Sequence, residues 1–127
     1  MRLVDTSAWI EWLTASPTGK AIEAEIPEQA DWLVPTMVQL ELAKWLARNA
    51  PEDVADRIIA FTRTCIVAPL DTRIALGAAE LWIQSAAASL CAVVYATALG
   101  YRADLLTCDI HFDALPDLVF VPKAGTV

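Results

Sequence analysis

Three carboxylates stand at positions where a folded chain could use them for chemistry. Asp5 follows the apolar pair Leu3-Val4, Asp109 comes shortly after Leu105-Leu106, and Glu41 lies inside the segment PTMVQLELAKWLAR. Each has an ordinary structural use by itself. Asp5 can cap the helix that follows it, and Asp109 can serve as a turn residue. Glu41 has Met37, Val38, Lys44 and Trp45 at helical spacing, so it can reach solvent at the edge of a largely apolar face. Brought to one cleft, the three acids would repel one another unless a divalent cation neutralised them. Carboxylate oxygen and water suit Mg²⁺ or Mn²⁺ rather than a softer metal. A cation held in this way can position a water and stabilise the charge that builds on a phosphodiester during in-line attack.

The elements that must position these acids are legible in outline. Arg2 to Asp5 reads as a short strand, and Thr6 or Ser7 as the cap of a helix carrying Trp9, Ile10, Trp12 and Leu13. Pro17 opens a second helix, roughly Thr18 to Glu25, which Pro27 closes. Trp32 to Val34 reads as a strand, with helices from Pro35 or Thr36 to Arg48 and from Glu52 to Thr64. A strand at Cys65 to Val67 precedes a helix capped by Asp71 and running to Ser85, and another from Ser89 to Leu99. Gly100 stands where a left-handed C-cap is expected. Leu105 to Thr107 and Leu118 to Val121 complete the strands. This alternation predicts one α/β domain over residues 1–127, with a mainly parallel central sheet flanked by helices. Such sheets bind ligands beyond the carboxyl ends of their strands, which is where Asp5 and Asp109 fall.

The totals narrow the function. A chain of 127 residues, 57% hydrophobic, is the size of one domain with an ample core. It has no uncharged apolar run of membrane-spanning length and no signal-peptide pattern at MRLVDTSAW, so we expect a soluble, cytoplasmic protein with no membrane partner. Three cysteines without a C-x-x-C pair argue against a disulfide framework and against a zinc site. The net charge of −7 is the reverse of what direct nucleic-acid binding needs, so such binding would require divalent metal or a basic partner. Trp9, Trp12 and Trp45 suit either the core or a groove for another chain.

Four stretches carry a resemblance. V4-D5-T6-S7-A8, P35-T36-M37-V38 ahead of E41, Y95-A96-T97-A98, and L106-T107-C108-D109-I110-H111-F112 together resemble the PIN domain, and within it the toxin subunits of VapBC toxin–antitoxin systems. The resemblance covers nearly the whole chain in the right order. It implies a PIN-like fold and a metal-dependent endoribonuclease. Asp5, Glu41 and Asp109 match the family's acids that hold Mg²⁺ or Mn²⁺. Thr107 matches its hydroxyl two residues before the last acid, and Ser7 or Thr6 the small polar residue after the first. Thr107 and Ser7 are then expected to orient the acids or a water, with Asp113 a further candidate ligand. The implied partners are an RNA substrate, a VapB-like antitoxin forming a hetero-oligomer with a toxin homodimer, and operator DNA reached only through the antitoxin.

One position departs from the pattern. Where the family has an aspartate at the start of the penultimate helix, this chain has Cys91, and no carboxylate lies between Glu80 and Asp104 to replace it. A neutral thiol is a poor Mg²⁺ ligand. Weakened metal binding and weakened cleavage are therefore expected, and the alternative is an inactive binding module that works by forming a complex with its antitoxin. Other chemistries find little support. Ser7 lacks a G-x-S-x-G elbow for a triad with His111, and nothing local activates Cys91 as a nucleophile. Asp5 has no second acid near enough for a phosphoaspartate site, and a glycine-rich phosphate loop is missing.

Overall fold

The computed structural model describes residues 1–85, 89–112 and 115–124. Asp113 lies outside the described residues. Among these residues, five strands and six α-helices follow in the order β1 (Arg2–Val4), α1 (Thr6–Leu13), α2 (Pro17–Glu23), β2 (Trp32–Pro35), α3 (Thr36–Asn49), α4 (Glu52–Thr64), β3 (Ile66–Ala68), α5 (Thr72–Ser85), α6 (Ser89–Gly100), β4 (Asp104–Thr107) and β5 (Leu118–Phe120).

The strands form one sheet in the order β3-β2-β1-β4-β5, and every pairing is parallel. Leu3 and Val4 point to opposite faces of β1, yet both are fully buried, as are Leu33 and Val34 on β2 and Leu106 on β4. Helices therefore cover both faces, which is why these strands read as continuous apolar runs without alternation. A smaller apolar cluster of Ile74, Ala78, Ala92 and Ala96 joins α5 to α6.

Local chemistry explains most element ends. Ser16 accepts the Gly19 N–H at 2.9 Å to start α2, with Pro17 in the first turn. A Cβ on Gly19 would stand 2.0 Å from the Glu11 carbonyl oxygen, so only glycine lets α2 lie this close to α1. Asp71 caps α5 by accepting the Ile74 N–H at 2.9 Å, as its position predicts.

Three expectations need correction. The N-cap of α1 is Asp5, not Thr6 or Ser7, and its carboxylate makes no capping bond. Gly100 remains helical, and the left-handed residue is Arg102 at φ 54°. There the Ala103 N–H reaches the Ala98 carbonyl at 2.9 Å and the Arg102 N–H the Leu99 carbonyl at 3.1 Å, the paired bonds of a Schellman ending. Trp9 is a core residue, 1% exposed, and its ring lies 4.6 Å from that of Trp32 in a cluster with Trp12 and Phe61. Burial of that cluster, rather than a groove, accounts for Trp9; Trp12 and Trp45 are half-buried against the same core.

Candidate active site

The chain fills the sheet outward from β1 through β2 to β3, then returns to the other side of β1 with β4 and β5. The order therefore reverses between β1 and β4, and a crevice opens at that point beyond the strand ends. Asp5 leaves β1 there, its N–H bonded to the Leu106 carbonyl at 2.9 Å, and Asp109 follows β4 two residues after it ends. Helix α3 starts directly from β2, the neighbour of β1, and buries Val38, Leu42 and Leu46 against the core. That packing leaves Glu41, one residue before Leu42, half-buried at the rim of the crevice. The resulting cavity, of about 390 Å³, is lined by Asp5, Thr6, Ser7, Glu41 and Asp109, and by Leu90, Cys91, Val94 and Phe112.

Hydroxyl groups hold the acids. Asp5 Oδ2 accepts from Ser7 Oγ at 2.8 Å and from Thr107 Oγ1 at 2.9 Å. Ser7 Oγ in turn accepts the Cys108 N–H at 3.3 Å, and Thr107 Oγ1 accepts the Asp109 N–H at 3.0 Å. The two hydroxyls therefore tie the end of β1 to the turn after β4. Thr6 Oγ1 donates to Glu41 Oε1 at 3.1 Å. Asp109 Oδ1 accepts the His111 N–H at 2.9 Å and lies 2.6 Å from the His111 ring Nδ1.

Burial dominates the electrostatics. Asp5 is 6% exposed, and desolvation pushes its pKa up; Ser7, Thr107 and the Thr6 N–H oppose that rise, while Asp109 adds to it. Glu41 is raised for the same first reason, partly offset by the Thr6 hydroxyl and Lys44, with Asp5 and Asp109 repelling its charge. Burial raises the Cys91 thiol to about 11, with repulsion from Asp109, Asp5 and Glu41 contributing. At neutral pH Cys91 is a thiol, neither an activated nucleophile nor an anionic ligand.

The donor set fits a hard divalent cation in one particular manner. Three carboxylates and two hydroxyls line the cavity, and among the described residues no lysine or arginine does. Among the described residues, no three acidic, cysteine or histidine side chains converge closely enough to hold an ion together. An ion bound by one or two carboxylates and retaining several waters matches both facts, and that is the habit of Mg²⁺.

Of the residues singled out in the sequence, Asp5, Glu41, Asp109, Ser7 and Cys91 all line this cavity, and Thr107 lies beneath it, fully buried against Asp5. Two partners were not anticipated: Thr6 as the donor to Glu41, and His111 on Asp109. Thr6 left a signal, since it directly follows the first acid, but which acid it serves depends on the packing of α3. Ser7 engages Asp5 and not His111, which removes the geometry a serine triad needs.

A family model described as PIN domain matches residues 2–118. Among solved structures, a toxin–antitoxin complex from Klebsiella pneumoniae superimposes with a TM-score of 0.83 at 18% identity, covering 97% of this chain and 99% of that one. VapC20 of Mycobacterium tuberculosis, described as a sarcin–ricin loop cleaving toxin, gives 0.75 at 18% identity over 97% of this chain and 100% of that one. DNA-bound VapBC from Salmonella typhimurium gives 0.72 at 14% identity, covering 94% and 95%. At these identities the likeness is one of fold. No curated protein matches the chain.

Proposed function

This chain belongs to the PIN domain family, and from that premise we propose that it is a single-domain, metal-dependent endoribonuclease, the toxin of a VapBC-type pair, weakened by Cys91. The observation that carries the reading is the acidic crevice at the β1–β4 switch, where Asp5, Glu41 and Asp109 line one cavity with hydroxyl support and, among the described residues, no lysine or arginine in its lining. Asp5, Glu41 and Asp109 would hold Mg²⁺ or Mn²⁺, directly or through water. When bound, the ion would lower the pKa of a water and stabilise charge on the scissile phosphate. Ser7 and Thr107 keep the Asp5 carboxylate fixed, so the donor is in place before any ligand arrives. His111, exposed beside Asp109, is within reach of a proton at the mouth of the site.

The partner reading follows from surface and fold. Proteins of this fold are solved as toxin–antitoxin complexes, several of them bound to DNA. We place an antitoxin segment in the largely apolar groove of about 620 Å³ between α3, the helix that carries Trp45, and α4, lined by Ala43, Leu46, Ala47, Ala55 and Ile59. Operator DNA would be reached through that antitoxin, because a chain of net charge −7 is a poor DNA ligand itself. The toxin would act in the cytoplasm as a homodimer. Among the described residues no helix is long and apolar enough to cross a membrane.

Cys91 supports a second reading, in which cleavage is lost and the chain serves as a binding module for its antitoxin. A thiol raised to about 11 gives the cavity one negative charge fewer than a carboxylate there would. Metal binding tests the primary reading directly. Purified chain should take up Mn²⁺, and Asp5→Asn should abolish uptake while leaving the circular dichroism spectrum unchanged. Undiminished Mn²⁺ binding in Asp5→Asn would remove Asp5 from the metal site.

A further inference from the structure

We propose that Thr6 is a positioning residue that fixes Glu41 relative to Asp5. This rests on the reading of the crevice given above. Ser7 and Thr107 both attend to Asp5, and Asp109 is held by its own turn and by His111. Glu41 has a different problem. It arrives on α3, its side chain has three rotatable bonds, and it is only half-buried, so backbone packing alone does not set where its oxygens lie.

The Thr6 hydroxyl supplies the constraint, donating to Glu41 Oε1 at 3.1 Å. Thr6 is the first residue of α1 and 8% exposed, so its hydroxyl is turned away from bulk water and toward the acid. Its stiff, β-branched side chain has few rotamers, which makes it a better guide than a flexible donor. Its N–H also favours the charged form of Asp5. One residue thus touches two acids that come from elements 36 positions apart in the chain. Outer partners of this kind commonly change metal affinity by about tenfold or more when removed.

The test is Mn²⁺ affinity, measured by electron paramagnetic resonance, for Thr6→Val and Thr6→Ser, each with native Glu41 and with Glu41→Gln. Thr6→Val should weaken Mn²⁺ binding about tenfold with Glu41 present, and Thr6→Ser, which keeps the hydroxyl, should stay within about twofold. In the Glu41→Gln background Thr6→Val should make no further difference, since its target has lost its charge. An equal loss in both backgrounds would overturn the proposal, because Thr6 would then act on the fold rather than through Glu41. If the native chain binds no Mn²⁺, the metal reading fails, and the proposal is decided in metal-free protein. There the Glu41 side chain should lose its single rotamer in Thr6→Val, read from side-chain three-bond couplings, and keep it in Thr6→Ser. An unchanged Glu41 rotamer in Thr6→Val would refute the positioning role.

Discussion

Asp5 is the residue at which the site works against the fold. Its carboxylate is almost wholly buried, and the donors from Ser7, Thr107 and Thr6 only partly offset the loss of water, so its pKa lies above the ordinary 3.8. Between the ordinary value and the raised one, the folded metal-free state therefore holds more proton at Asp5 than the unfolded chain does. Its contribution to stability is full below the ordinary pKa and is lost as pH rises through the raised value. Asp5→Asn removes this burden. In urea unfolding without metal, the variant should be more stable than the native chain at pH 8 by on the order of 1 kcal/mol, with the gap closing toward pH 4. Native and variant curves that run parallel across that range would contradict the assignment of strain to Asp5. The three acids were legible in the sequence because strand ends and one helix face fix where their backbones lie. The roles of Thr6 and His111 were not, because a hydroxyl or imidazole selects its partner only after distant elements have packed.

At the scale of elements, boundaries set by proline or by a capping side chain were legible, and those set by hydrogen-bond geometry were not. Helix α4 runs over Glu52–Thr64 as expected, opened by Pro51 and closed by the turn into β3. The end of α6 is different. The Tyr101 N–H still bonds the Thr97 carbonyl at 3.2 Å, so helical geometry carries past Gly100 and the left-handed position falls on Arg102. A glycine near a helix end marks a preference, and closure of the last hydrogen bonds decides the residue. The strand order was also hidden, since helices alternating with parallel strands are compatible with several sheet orders. Helix α5 raises a question that only its surface answers. Leu76 and Ile83 lie seven residues apart on one helix face, 65% and 74% exposed, with Trp82 beside them 55% exposed. We expect this face to be the seam of the proposed homodimer. Light scattering should report a dimer for the native chain and a monomer for Leu76→Glu with Ile83→Lys. A monomeric native chain at tens of micromolar would remove the seam.

The whole molecule is an acidic domain, and three of its 16 acids line one crevice. A net charge of −7 with three acids in one crevice makes unaided RNA binding unfavourable, so the proposed cleavage would need a metal ion or a basic partner to supply positive charge. Cys91 sharpens the dependence, because an aspartate in its place would add a charge and a hard oxygen to the cavity. The central claim is that this crevice is a metal site for RNA cleavage held below strength by one thiol. The direct test compares cleavage of total RNA by the native chain and by Cys91→Asp, each in Mn²⁺ and in excess chelator. The account predicts cleavage only with Mn²⁺ and at least about tenfold faster in Cys91→Asp, the scale on which metal-site changes commonly act. Cleavage that persists in chelator, with Cys91→Asp no faster than the native chain, would contradict it.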